Sequence, residues 1–190
     1  ILERVAGYTM TSVERQLAMI QAVRHLVRSR IRGCIVECGV WRGGSSIAAA
    51  LALIQEGDTS RTLYLYDTFE GMTPPSDVDM TIDGQLASNL LNADVSRSRS
   101  IWCIADMDDV RQNLASTLYP PERITLVQGP VETTIPVKSP TEPIALLRLD
   151  TDWYESTKHE LVHLFPHLVV GGILLIDDYG HWAGARRAVD

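Results

Sequence analysis

The chain contains no apolar run of the ~18 residues that a membrane span needs, and its opening ILERVAGYTM has neither the charged nor the apolar block of a signal peptide. These absences lead to the expectation of a cytoplasmic protein with no membrane partner. No Lys/Arg cluster is present that would neutralise a run of phosphates. The densest basic stretch is Arg24 to Arg32, set against a net charge of −7 and a pI near 5.2. A nucleic-acid surface is therefore disfavoured and a small-molecule ligand favoured. Cysteine is scarce: Cys34, Cys38 and Cys103 are odd in number and lack a zinc spacing, so they read as buried reduced thiols.

What is present fits one globular domain: 190 residues, 45% hydrophobic and 22% charged. Thr11-x-x-Glu14 reads as a capping box, and Val13, Leu17, Ile20, Val23 and Val27 follow at helical spacing, which predicts a helix over 12–30. For the preceding GYTMTS, a frayed end is favoured over an arm folded across a pocket. CIVECGV is a short buried strand, WRGGSS a glycine turn, and IAAALALIQ an apolar helix ended by Gly57. Strand, glycine turn and helix form the nucleoside-binding unit of a doubly wound α/β fold.

The glycine pattern departs from GxGxxG, because Trp41 holds the position whose glycine lets backbone approach a pyrophosphate. A cofactor without a pyrophosphate fits better, and S-adenosylmethionine (SAM) is such a molecule. Gly39, Trp41, Gly43 and Ser45 are its candidate loop contacts, and Glu37 would face its amino group. TLYLYDTFEGM is a second strand whose terminal Asp67 is a candidate ribose ligand. Thr73 to Ser100 is polar and aperiodic, which suggests a mobile lid over the substrate. MDDVRQNLAST reads as a helix capped by Asp108 or Asp109. RITLVQG is a third strand, with Gln128 and Gly129 as candidate adenine contacts.

IALLRL and GGILLI are nearly continuous apolar runs, as expected of central parallel strands covered on both faces, with Arg148 the exception. Asp150 and Asp152 close the first, Asp177 and Asp178 the second. Ligands of an open parallel sheet sit beyond the carboxyl ends of its strands, so these four carboxylates would share one pocket. They would repel one another without a cation, and a hard oxygen-liganded ion, Mg²⁺, is the expected one. His159, His163 and His167 follow at i, i+4 and i+8, but Pro166 interrupts the stripe, and a solvated face is the better reading. Asp152-x-x-Glu155 also reads as a capping box, which competes with any catalytic role for Asp152.

ECGVWRGGSS, LYDTFEGM, LLRLDTDWYEST and IDDYGHWAGARRAVD, in that order, resemble the macrocin O-methyltransferase family over nearly the whole chain. The resemblance implies a Rossmann-like class I SAM-dependent methyltransferase fold: α/β, doubly wound, with a mostly parallel sheet. It implies Mg²⁺ on Asp150, Asp177 and Asp178, with Asp152 as general base; because the capping box competes for Asp152, His181 in the DYGHW loop is the substitute. It also implies methylation of a hydroxyl on a glycosylated small molecule of antibiotic biosynthesis. A phenol or catechol acceptor, a non-catalytic SAM-binding domain and, more remotely, a nicotinamide oxidoreductase stay open as alternatives, as does a homo-oligomer. Two departures stand out. Thr151 replaces the glycine or small residue usual between the two aspartates, which would narrow the acceptor pocket. The family continues past the AVD helix into a terminal strand pair of its sheet, and the sequence given stops at Asp190.

Overall fold

A computed structural model describes residues 1–94 and 100–190. In chain order the elements are α1 (Leu2–Val5), α2 (Val13–Arg28), β1 (Cys34–Cys38), α3 (Gly44–Gln55), β2 (Leu63–Asp67), α4 (Ala87–Ala93) and α5 (Met107–Ala115). There follow β3 (Ile124–Gln128), α6 (Val131–Thr134), β4 (Ile144–Leu149), α7 (Tyr154–His163), β5 (Leu168–Ile176) and α8 (Ala183–Val189). The strands form one parallel sheet in the order β3-β2-β1-β4-β5. The order reverses between β1 and β4, which is where an open α/β sheet leaves a crevice.

β1 and β4 are buried throughout, because α2 and α3 cover one face and α7 with the α6 region covers the other. β5 departs from the expectation of a strand covered on both sides. Among the described residues it pairs only with β4, it is half-exposed, and Val170 is fully in solvent. An apolar run shows that a strand is apolar, but which strand pairs on its far side is a long-range fact.

Several local expectations shift by a residue or two. α2 is capped by Ser12, whose hydroxyl accepts from Arg15 N at 3.4 Å, and not by Thr11. α5 is capped by Asp106, which accepts from Asp109 N at 2.8 Å, and not by Asp108 or Asp109. Each true cap has extended backbone, as an N-cap must, while the neighbouring candidates lie inside the helix or hydrogen-bond elsewhere. The segment GYTMTS is an arm and not a frayed end. Gly44 N donates to the Tyr8 carbonyl at 3.0 Å, and Gln16 reaches back to the hydroxyls of Thr9 (3.0 Å) and Thr11.

The stretch expected as an aperiodic lid is built as well. Met80 and Leu86 form an antiparallel bridge and Ala87–Ala93 is helical. Ala87 and Leu91 are buried with Trp153, Trp182 and Ala185 in an apolar cluster of their own. The helix is too short to show a period in sequence. The part of the expected lid at 95–99 lies outside the described residues. No helix among the described residues is long and apolar enough to cross a membrane.

Candidate active site

The carboxyl ends of four strands are level. Gly39 N bonds to Tyr66 O, Gly129 N to Asp67 O, Asp150 N to Cys38 O and Asp177 N to Leu149 O, at 2.9 to 3.0 Å, so the interstrand ladder runs one residue past each strand end. Gly39, Asp67, Gly129, Asp150 and Asp177 rim a cavity of about 550 Å³. At Gly39 the backbone is left-handed (φ 82), and a side chain there would run into the Asp150 carbonyl, so glycine is what lets β1 and β4 end side by side.

On the β1–β2 side lies the glycine loop. Trp41 adopts φ 47, a conformation disfavoured for a residue with a side chain. Asp67 explains how it is held: its Oδ2 accepts from Val40 N (2.6 Å) and Trp41 N (3.0 Å), and its Oδ1 from Phe69 N (2.7 Å). The loop is thus clipped to the end of β2 by a carboxylate. Among the described residues the remaining Oδ1 lone pair meets only the Thr68 hydroxyl at 3.4 Å, whose proton is better placed for the Gly71 carbonyl at 2.6 Å, which leaves room for one outside donor. Gly39, Trp41, Ser45, Asp67 and Gly129 all line the cavity. Gly43, the left-handed N-cap of α3, is buried behind it, and Gln128 is exposed on the edge strand and does not line it.

Glu37 lines the cavity but is almost wholly buried, and the structure gives it a partner that sequence reading did not. Arg148 stands opposite it in the β1–β4 register and donates from Nη1 to Oε1 at 2.8 Å, while the Ser46 hydroxyl donates to Oε2. Burial works against the Arg148 charge, but Asp150, Glu37 and Asp177 outweigh it and hold the guanidinium protonated.

On the β4–β5 side, Asp150, Asp177 and Asp178 each present an oxygen within 4.8 Å of the others. Asp178 reaches this group because the chain turns out of β5 at Asp177, which has helical backbone (φ −77, ψ −42), into a short turn at Asp178–Gly180. Burial lifts the Asp178 carboxyl well above the usual range, and the neighbouring Asp152 adds to it. Burial likewise lifts Asp150, opposed by Arg148 and reinforced by Asp178 and Asp177. Three hard oxygen donors, one from each residue, converging with an excess of negative charge suit a divalent cation of the Mg²⁺ type.

Asp152 is placed differently. Its backbone is left-handed (φ 67), its N–H donates to Asp178 Oδ2 at 3.1 Å, and its Oδ1 accepts from Trp182 Nε1 at 2.7 Å. It does not cap α7. The N-cap is Trp153, and the N–H of Tyr154 is taken by Asp79 Oδ1 at 2.8 Å, from the segment expected to be a lid. Burial, and then the charge of Asp150, pushes the Asp152 carboxyl up to about 7. His181 is exposed at the cavity rim with its ring edge-on to Trp182 at 4.8 Å. Thr151 lines the cavity, and its hydroxyl donates to the buried Glu160 at 3.0 Å.

The sequence profile described as Macrocin-O-methyltransferase (TylF) matches residues 4–190. The chain belongs to the macrocin O-methyltransferase family. Demethyldecarbamoylnovobiocin O-methyltransferase of Streptomyces niveus is 30% identical over 184 residues, which are 97% of this chain and 67% of that protein. The 8-demethyl-8-(2,3-dimethoxy-alpha-L-rhamnosyl)-tetracenomycin-C 4'-O-methyltransferase of Streptomyces olivaceus is 32% identical over 173 residues, 91% of this chain and 63% of that one. The chain thus spans about two thirds of the length of these relatives. The solved structure of the O-methyltransferase NovP superposes with a TM-score of 0.79 at 31% identity, covering 96% of this chain and 72% of that chain. Family membership makes the protein an O-methyltransferase by descent, and the Rossmann-like sheet is shared with NovP.

Residues that sequence reading passed over are those whose partners are remote. Asp79 meets Tyr154 across 75 positions, and Arg15 Nη1 reaches Asp177 Oδ2 at 2.9 Å across 162. Only Arg148 gave a signal in advance, as a lone charge in an apolar strand. Cys34 and Cys38 are buried as expected, burial pushing the Cys34 thiol up to about 12, whereas Cys103 is half-buried and lines the cavity. His159 is tied to the Ile135 carbonyl at 2.7 Å and its ring lies 4.3 Å from that of His163, tilted by 46°, so the histidine stripe is only partly solvated.

Proposed function

We propose that the protein transfers a methyl group from SAM to a hydroxyl of a small molecule, a sugar of a glycosylated natural product, with Mg²⁺ held by Asp150, Asp177 and Asp178. One observation carries this reading: a single cavity is lined both by the glycine loop with Asp67 and by all four strand-end aspartates. The sugar acceptor draws on the relatives, whose names place their chemistry on novobiocin and rhamnosyl-tetracenomycin scaffolds.

When bound, SAM supplies the methyl group and the ion supplies Lewis acidity. The chain does the rest. The loop from Gly39 to Ser45 and the spare Oδ1 lone pair of Asp67 take the nucleoside on one side of the β1/β4 switch point. The aspartates across it orient the acceptor hydroxyl, which converts a bimolecular encounter into an aligned one. Trp153 and Trp182, both buried, close the wall beside Asp152 and keep water from it. Asp152 takes the hydroxyl proton. Burial raises the Asp152 carboxyl toward the operating range of a general base, and a cation nearby would offset part of that rise. Its burial and its Trp182 hydrogen bond fix its direction, which favours it over the exposed His181.

Calorimetry with S-adenosylhomocysteine tests the cofactor half. Binding is expected without added metal, since the nucleoside contacts come from β1 and β2. Asp67→Ala is expected to weaken it by roughly 1.5–3 kcal/mol, through the ribose contact and the unclipped loop together. Unchanged affinity in that variant would remove Asp67 from the site.

A further inference from the structure

Arg148 is the one charged residue in a strand otherwise made of Ile, Ala and Leu, and it is 4% exposed. Burying a guanidinium costs heavily unless its donors are matched. They are matched by three carboxylates from three strands: Nη1 lies 2.8 Å from Glu37 Oε1 and 2.7 Å from Asp150 Oδ2, and Nη2 lies 3.0 Å from Asp177 Oδ1. Two of these three, Asp150 and Asp177, belong to the set that converges as a cation site. The guanidinium therefore engages oxygens on two of the three residues that an ion would use.

We propose that Arg148 is a positioning residue that acts as the site's internal counter-cation, holding Glu37, Asp150 and Asp177 together before an ion arrives and limiting ion affinity by competing for Asp150 and Asp177. The proposal rests on the reading of Asp150, Asp177 and Asp178 as a cation site. A residue present only for scaffold stability would weaken ion binding when removed, because its loss disorders the ligands. A competing charge does the opposite. Its removal frees two carboxylate oxygens and takes away a repelling charge, so ion affinity rises while stability without the ion falls.

The test uses Mn²⁺ as probe, followed by electron paramagnetic resonance, on the wild-type chain and on Arg148→Met, Arg148→Lys and Asp178→Asn. Thermal melting is recorded with and without the ion. Arg148→Met, close in length and uncharged, is expected to melt below wild type without Mn²⁺, to bind Mn²⁺ about tenfold more tightly or better, and to gain more in melting temperature on its addition. Arg148→Lys keeps one charge but loses the forked contact, so an intermediate gain is expected. If Arg148→Met is unfolded without the ion, folding on Mn²⁺ addition supports the proposal, and failure to fold together with weaker binding by Arg148→Lys overturns it. Equal or weaker binding by folded Arg148→Met, with wild type binding and Asp178→Asn not, overturns the proposal alone. No binding by wild type or any variant overturns the cation site and the proposal with it.

Discussion

Asp152 shows what a single residue must satisfy here. Its left-handed backbone costs a side-chain-bearing residue on the order of 1 kcal/mol, and the cost is offset by the Asp178 and Trp182 hydrogen bonds and by the bond from Trp153 N to Thr151 O at 2.8 Å. The same twist turns the carboxylate off the axis of α7 and into the cavity, which frees it from capping. Ligand and base roles are therefore expected to separate. Asp150→Asn, Asp177→Asn and Asp178→Asn should each lower Mn²⁺ affinity and turnover, with turnover partly restored by excess Mg²⁺. Asp152→Asn should keep metal affinity and lose ~10² to 10⁴ in rate, with no rescue by Mg²⁺. Metal titrations and steady-state rates on the four variants decide this, and an Asp152 variant with full turnover would move the base to His181.

At the scale of elements, the arm and the α4 segment are held by contacts that a substitution can address one at a time. A side chain at Gly44 would meet the Tyr8 carbonyl at 2.5 Å and Thr9 at 2.6 Å. Gly44→Ala should therefore detach the arm from the glycine loop, seen as faster proteolysis near Tyr8 and weaker S-adenosylhomocysteine binding, and an arm still protected would contradict the packing. Asp79 is buried, accepts from Tyr154 N and Ser76 N, and packs so closely against Gly184 that only a glycine fits there. Asp79→Ala removes the side chain that accepts from Tyr154 N at the start of α7 and should cost about 0.5–2 kcal/mol in denaturant unfolding. The strands and the long helices were legible because periodicity and apolar runs are local signals. The caps at Ser12, Asp106 and Asp79 were not: two differ from their neighbours only in backbone angle, and the third comes from 75 positions away.

For the whole molecule, Glu37, Asp150, Asp152, Asp177 and Asp178 face Arg148 and Arg15 across one cavity, so negative charge is in excess. The meeting of the Asp150–Asp152 and Asp177–Asp178 pairs was legible, since parallel strands that end together bring their termini together. Of the arginines that partly neutralise them, Arg148 showed as a lone charge in an apolar strand, but Arg15 did not, because it comes from α2, far away in sequence. The excess has a consequence for pH. Asp150 and Asp178 are held above the usual carboxylate range near 4, and Asp152 is raised to about 7. Between about pH 4 and 7 the folded chain then binds more of a proton at Asp152 than the unfolded one, and Asp150 and Asp178 act in the same direction, so this stability is present at low pH and is lost as pH rises. Thermal melting of the metal-free protein should fall from about pH 5 to 8, each kcal/mol shifting the midpoint by roughly 2–4 °C, and Mg²⁺ should reduce the fall. A melting temperature that rises with pH over this range would contradict the assignment.

The shared cavity is most directly tested by following label from methyl-labelled SAM into a panel of glycosylated natural products, with a chelator present and then with Mg²⁺ restored. Label is expected in an acceptor sugar hydroxyl, abolished by the chelator and recovered with Mg²⁺. Transfer that continues undiminished in the chelator would contradict the cation's place in the site.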